Sequence, residues 1–324
     1  MKAARYIAPG QIAVEEAAMP EPPRGGLLLR MEIAAVCGSD LHYCADSPPE
    51  SFPWKPGQSG HECVGSIEVS RSKEWTPGAR VLVLPPEFNG FAEWVAVDPA
   101  YVLALPDGVS SELGVLAQQL GTVLFCCRKL QNVLDKRFVV IGQGPAGLLF
   151  SAVLHSLGAR QVIGVDLVEH RLEMARRLGV ERTIDVARED PVEAVQQYTD
   201  GHMADGVVEA VGKAETINLC PKLVRQGGEV ALFGVPKKEY LPIAMEQFLR
   251  KNVRLVASAD AQGEPGLLSF RLALDMIASR RLDVRPLITH RLPLSAIAEA
   301  FSLAETKRDG AVKVLVDLRQ RGAQ

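Results

Sequence analysis

The sequence predicts an α/β protein of two domains, one mostly β and one built on a doubly wound parallel sheet. Three observations predict it: a length of 324 residues, an amino-terminal third of short extended runs, and a middle section where apolar runs alternate with helix-length segments. At roughly 150 residues per domain, the chain is long enough for two separate cores. Hydrophobic residues at 47% and charged residues at 23% are the balance of an ordinary folded chain. Lys plus Arg number 36 against 39 Asp plus Glu, a net charge of −3, so no basic field exists to hold a nucleic acid.

The segment Met1-Lys2-Ala3-Ala4-Arg5-Tyr6 has no apolar run followed by a small-residue cleavage site. No uncharged stretch approaches the ~18 residues that span a bilayer. The reading is a soluble, cytoplasmic protein without a membrane partner. Six cysteines, sparse and irregularly spaced, read as reduced thiols and not as a disulfide framework.

In residues 1 to about 110 the extended runs are 27–33, 64–69, 80–84 and 91–97, with Pro and Gly between them at 20–23 and 77–78. From about 111 to 262 the apolar runs are 138–141, 161–166, 206–210 and 229–233. Continuous apolar strands joined by helical crossovers predict a parallel sheet buried on both faces. Helices are expected over 148–157, 171–178 and 219–225, stopping at Gly158, Gly179 and Gly227-Gly228. The tail adds a helix over 295–305 and a strand over 312–316 that returns to the first domain. The domains are thus 1–118 with 263–324, and 119–262.

After the run 138–141 comes Gly142-Gln143-Gly144-Pro145-Ala146-Gly147. Gly142 allows the tight turn, Gly144 lets a pyrophosphate approach the backbone, and Gly147 lets the helix press on the sheet. Pro145 falls in the first helical turn, where its missing N–H costs nothing. A glycine turn alone is weak evidence, but here a strand precedes it and a helix follows. Asp166 ends the next strand, nineteen residues past Gly147. Together these predict a dinucleotide-binding Rossmann domain. Asp166 would accept hydrogen bonds from an adenosine ribose and repel a 2′-phosphate, which favours NAD, while Arg171 keeps NADP open.

The second cluster is Cys37-Gly38-Ser39-Asp40-Leu41-His42 with Gly60-His61-Glu62. Zinc takes thiolate and neutral imidazole ligands, with carboxylates behind them orienting the imidazole. Cys37, His61, Glu62 and Asp40 supply those types. Spacing alone leaves a metal site and a pair of ordinary core residues both open.

With these motifs the chain resembles the medium-chain dehydrogenases and reductases, and among them the zinc-dependent alcohol and polyol (sorbitol-like) dehydrogenases. The match also takes in Cys63-Val64-Gly65 after the Gly-His-Glu run, Pro77-Gly78-Ala79-Arg80-Val81, Phe91-Ala92-Glu93-Trp94, Asp205 to Ala210 and Gly310 to Val314. The resemblance implies a mostly β, GroES-like catalytic domain beside the Rossmann domain. It implies that Cys37 and His61 ligate one catalytic zinc, that Asp40 hydrogen-bonds the His61 ring, and that Glu62 is a carboxylate able to join the metal. It implies that Ser39 contacts the substrate hydroxyl and His42 carries its proton onward. Ser39 as a helix cap and His42 as a loop residue are the plain alternatives.

Two departures from the family pattern stand out. Only residues 82–90, without a cysteine, fill the place of the family's four-cysteine lobe, so no structural zinc is expected. The family's third ligand, usually Cys or Glu, aligns with Gln118 in Leu116-Ala117-Gln118-Gln119-Leu120. A neutral amide binds zinc more weakly than a carboxylate and leaves the metal more positive. Cys63 reads as a buried thiol, and Tyr43, Trp54 and Phe88 as core or as pocket wall.

The expected activity is hydride transfer between a secondary alcohol, polyol or sugar derivative and NAD, with the metal as Lewis acid. Two alternatives remain: a zinc-free, NADPH-dependent quinone or enone reductase of the same superfamily, and a catalytically silent dinucleotide-binding protein. The run 251–257 reads as a terminal sheet strand, and in the resembled family that edge pairs with a second subunit. A homodimer or homotetramer is therefore expected.

Overall fold

A computed structural model describes residues 1–319. The chain forms two compact units, Met1–Gln119 together with the segment from Glu264 onward, and Leu120–Gly263. The first opens on a hairpin of β1 (Lys2–Ala8) and β2 (Gln11–Glu16). It continues through β3 (Leu27–Ala35), α1 (Gly38–Asp46), β4 (Glu62–Ser70), β5 (Arg80–Val83), β6 (Trp94–Val97), β7 (Val102–Ala104) and α2 (Ser111–Gly114). The division between the units falls inside α3 (Leu116–Cys127).

The second unit runs β8 (Arg137–Ile141), α4 (Pro145–Ser156), β9 (Gln161–Asp166), α5 (Glu169–Arg177), β10 (Arg182–Asp185) and α6 (Pro191–Tyr198). It is completed by β11 (Ala204–Glu209), α7 (Ala214–Leu223), β12 (Val224–Leu232), α8 (Met245–Arg250) and β13 (Arg254–Ala257). The chain then returns to the first unit with α9 (Leu268–Ala278), β14 (Ile288–Pro293), α10 (Ile297–Thr306) and β15 (Lys313–Asp317).

In the second unit six parallel strands lie in the order β10-β9-β8-β11-β12-β13. Strand order reverses between β8 and β11, and it is at such a switch point that doubly wound sheets bind ligands. Val139, Val165, Val207 and Val230 are fully buried or nearly so, as central strands covered on both faces require. β13 is an edge, as the sequence predicts, and its Leu255 is 41% exposed.

The first unit holds a mostly antiparallel sheet in the order β14-β15-β3-β4-β5-β7, with β6 also paired to β3. β15 pairs directly with β3, so the tail strand does rejoin the first unit. Tyr6, Leu29, Phe91, Phe301 and Val314 anchor its core.

The structure corrects two elements. The helix expected over 219–225 runs instead from Ala214 to Leu223, and Val224 already begins β12. Gly227 and Gly228 lie inside that strand and do not stop the helix. Pro221 is accommodated within the helix, which starts five residues before the expected position 219. The run 91–97 is a strand only from Trp94, with Phe91 packed into the core ahead of it. Among the described residues, no helix is long and apolar enough to cross a membrane.

Candidate metal centre and dinucleotide turn

Strand register brings the metal-type residues together. Antiparallel pairing sets Ala35 of β3 opposite Glu62 of β4, and Leu315 of β15 opposite Ala35 on the other side. Cys37 lies two residues beyond β3, His61 one residue before β4, and Lys313 opens β15. All converge at one end of the sheet. Ligand atoms of Cys37, His61 and Glu62 lie within 4.8 Å of one another.

Asp40 is fully buried and ties two of these residues together. Its Oδ2 accepts the Cys37 backbone N–H at 2.8 Å, the backward half of a capping box that starts α1. Its Oδ1 lies 3.3 Å from His61 Nδ1, which also contacts the Ser59 carbonyl at 3.1 Å. With Nδ1 so engaged, Nε2 is the nitrogen left to ligate. Burial disfavours the charged imidazole, but the Asp40 carboxylate and the Cys37 sulfur outweigh it and hold the His61 pKa well above its usual value. Thiolate, imidazole and carboxylate are the donors zinc takes in proteins, so the Cys37, His61 and Glu62 side chains fit a zinc ion.

Glu62 carries a counter-charge that the sequence motifs do not reveal. Both its oxygens accept from Lys313 Nζ, at 2.9 and 2.8 Å, and neither side chain is exposed. Each carboxylate oxygen keeps a second lone pair, so the pair restrains Glu62 without using up its acceptors. A lysine within the apolar run 312–316 was the available signal.

Gln118 is buried in the first turn of α3, its N–H on the Val115 carbonyl at 3.3 Å. Ser39 and His42 lie one turn apart on α1 and so share a face. His42 Nδ1 is 3.7 Å from Asp46, towards the helix end. Cys63 is buried with its sulfur against Gly90, and its thiol pKa is raised by burial. The Phe88 ring meets the His61 ring edge to face at 5.6 Å, whereas Tyr43 packs on Trp54 at 5.9 Å.

The glycine turn has the form the sequence predicts. Gly142 follows β8 with φ +89°, and Gly144 caps α4, whose first residue is Pro145. A Cβ on Gly147 would stand 1.7 Å from the Gly142 carbonyl oxygen, so helix and turn touch only because it is glycine. Free N–H groups at the start of α4 suit a pyrophosphate. Asp166 ends β9, and its carboxylate already accepts Gln143 N–H at 2.5 Å, Leu167 N–H at 2.7 Å and Val168 N–H at 2.9 Å. Gln143 itself is fully buried, its amide donating to the Val140 carbonyl and accepting from Ser151. Arg171 Nη1 is 3.5 Å from where a Gly144 side chain would begin, and its buried Nε has no hydrogen-bond partner. Burial lowers the Arg171 pKa, opposed by Asp166, and the guanidinium remains charged. The turn fits a dinucleotide.

Comparison with known proteins agrees with this geometry. Residues 23–107 match the alcohol dehydrogenase GroES-like domain, and residues 145–278 match the zinc-binding dehydrogenase family. The chain is 28% identical to the sorbitol dehydrogenase of Gallus gallus over 340 residues, covering 95% of this chain and 93% of that one. It is 27% identical to the uncharacterized zinc-type alcohol dehydrogenase-like protein YdjJ of Escherichia coli K12, over 94% of this chain and 96% of the relative. The solved structure of alcohol dehydrogenase TADH from Thermus sp. ATN1 superposes with a TM-score of 0.85 at 28% identity, over 98% of this chain and 99% of that chain. With a GroES-like unit carrying the metal-type cluster and a Rossmann-like unit carrying the glycine turn, the chain belongs to the zinc-binding alcohol dehydrogenase family of the medium-chain dehydrogenases and reductases.

Proposed function

We propose that the protein is an NAD-linked, zinc-dependent dehydrogenase of a secondary alcohol, polyol or sugar derivative. The observation that carries this reading is the convergence of Cys37, His61 and Glu62 within 4.8 Å, with Asp40 behind both Cys37 and His61. In it, residues 1–118 with 263–324 form the catalytic domain and 119–262 the nucleotide-binding domain. Similarity to a sorbitol dehydrogenase supports the substrate class.

When bound, zinc supplies Lewis acidity towards a substrate oxygen, and the nicotinamide supplies the hydride acceptor. Cys37 and His61 would hold the metal, with Glu62 or Gln118 completing its ligands. Asp40 would orient the His61 ring through Nδ1 and leave Nε2 to ligate. Ser39 takes the hydroxyl proton of the substrate and passes it one helical turn along to His42, which is 31% exposed at the side chain and releases it to water. Gly142, Gly144, Pro145 and Gly147 receive the pyrophosphate, and Asp166 receives the adenosine ribose. Arg171 lies beside that turn. Three backbone donors already occupy Asp166, so it accepts a ribose hydroxyl with its remaining lone pair.

The edge strand β13, with Leu255 exposed, is proposed to pair with a second copy into a dimer or tetramer. Zinc analysis on protein purified without chelator tests the central reading. About one zinc per chain is expected, with NAD reduction by a polyol panel lost on chelation and restored by zinc. Less than a tenth of an equivalent, with activity indifferent to chelation, would leave the zinc-free reductase instead.

A further inference from the structure

Asp40 is itself held by two residues that lie outside every motif described above. Ser59 Oγ is 2.6 Å from Asp40 Oδ1 and 2.6 Å from the Tyr6 phenol oxygen. Tyr6 and Asp40 are fully buried and Ser59 is 1% exposed. The polarity of the chain follows from donor counting. An ionised carboxylate only accepts, so the single Ser59 hydroxyl proton points at Asp40, and the Ser59 oxygen must receive the Tyr6 proton. Burial and the Asp40 charge both push the Tyr6 phenol pKa far up, which keeps that proton in place. The Tyr6 contact to the Asp40 carbonyl, at 3.2 Å, is the longer branch.

Tyr6 is a rigid anchor. Its ring packs edge to face on Trp54 at 5.2 Å and on Phe301 at 5.8 Å, and its strand carbonyl accepts the Trp54 N–H at 3.0 Å. Ser59 acts twice, because its carbonyl also contacts His61 Nδ1. Remove its hydroxyl, and Oδ1 of a buried carboxylate keeps only the His61 ring, at 3.3 Å. The carboxylate then loses the donor that sets its rotation, and with it the simultaneous grip on the Cys37 N–H and the His61 ring.

On the reading of a zinc centre given above, we propose that Ser59 and Tyr6 are positioning residues for the metal: a directed chain from phenol to hydroxyl to carboxylate presets Cys37 and His61 in their ligating geometry. It acts through Asp40 and touches neither the metal nor the substrate.

The test uses the full-length chain with Ser59→Ala and Tyr6→Phe, each removing one oxygen, and Ser59→Thr, which keeps the hydroxyl. Zinc affinity is read by competition with a chelating dye, the visible spectrum of the Co2+-loaded protein reports ligand geometry, and thermal unfolding of the metal-free chain reports the fold. Partners one step behind a ligand typically change metal affinity by about 10–100-fold. One step further back, Ser59→Ala is expected to weaken zinc about 10-fold and Tyr6→Phe about 3-fold, each altering the Co2+ spectrum, with Ser59→Thr within about 2-fold of wild type. Variants that melt earlier yet bind zinc as tightly, with an unchanged Co2+ spectrum, overturn the proposal and leave an ordinary core hydrogen bond. A wild-type chain that takes up no zinc at all fails the underlying reading, and this one with it.

Discussion

Lys313 Nζ sits between the two carboxylate oxygens of Glu62, 2.9 and 2.8 Å away, and both side chains are shut off from solvent. Because β15 and β4 flank β3, the two charges face each other across a strand that leads directly to Cys37. A buried charge stripped of its partner costs far more than the pair contributes, since desolvation is then uncompensated. Lys313→Met is expected to destabilise the metal-free chain by about 3–5 kcal/mol. Adding Glu62→Leu to that variant should recover much of the loss. Urea unfolding of the single and double variants checks it, and a single variant as stable as wild type would contradict the pairing. Zinc should restore stability to Lys313→Met in particular, because the unpaired Glu62 gains a cation.

Cysteine reactivity separates Cys37 from the other five. Cys37 is half-buried, whereas Cys44, Cys63, Cys126, Cys127 and Cys220 are buried. Burial pushes the Cys44 and Cys126 thiols up to about 11 and raises Cys63, Cys127 and Cys220 as well. A thiol of pKa 11 is thiolate in roughly one part per thousand at pH 8, and that fraction grows tenfold per pH unit. Iodoacetamide at pH 8 should therefore modify the metal-free chain at Cys37 first, and at the others only as the pH climbs towards 11. Zinc should protect Cys37. Peptide mass spectrometry reads both effects, and first modification at a buried cysteine would refute the ordering.

On the proposed reading, cofactor choice is decided around Asp166. Its carboxylate organises the turn through Gln143, Leu167 and Val168 N–H groups, so in that reading it would shape the phosphate site as well as offer an acceptor to a ribose. Asp166→Ser removes the negative charge that repels a 2′-phosphate and leaves the Arg171 guanidinium unopposed. The KM for NAD is expected to rise at least about 10-fold, and the KM for NADP to fall, reversing or erasing the preference. Steady-state kinetics with both cofactors measure it. A wild-type enzyme that already prefers NADP would overturn the assignment of Asp166.

How much of this was legible in the sequence depends on how local each feature is. Cys37, Asp40 and Ser39 stand within four consecutive positions, and the Gly142 to Gly147 turn is a single run between a strand and a helix. Both could be read because their geometry is set by their neighbours in the chain. The parallel sheet was legible too, from continuous apolar runs, but α7 was misplaced because Gly227-Gly228 imitates a helix stop inside a strand. Lys313 and Tyr6 could not be found in this way. Each reaches the centre through pairing or packing with residues tens or hundreds of positions away, and the single clue was a lysine in an otherwise apolar strand.

Gln118 gives the sharpest test of the metal centre, because Glu is its near-isostere. A carboxylate there would add a negative charge to the thiolate and Glu62 already present. If Gln118 completes the ligands, Gln118→Glu should tighten zinc at least about 10-fold, since charged oxygen binds the ion more strongly than an amide. The same charge offsets the metal's positive field, so its pull on a substrate oxygen weakens and kcat should fall even as zinc is held better. Affinity and turnover thus move in opposite directions, which a merely structural glutamine would not produce. Chelator competition and kcat on the zinc-loaded variant together check this. A variant with unchanged zinc affinity and lowered thermal stability would place residue 118 in the core and leave Glu62 to complete the centre.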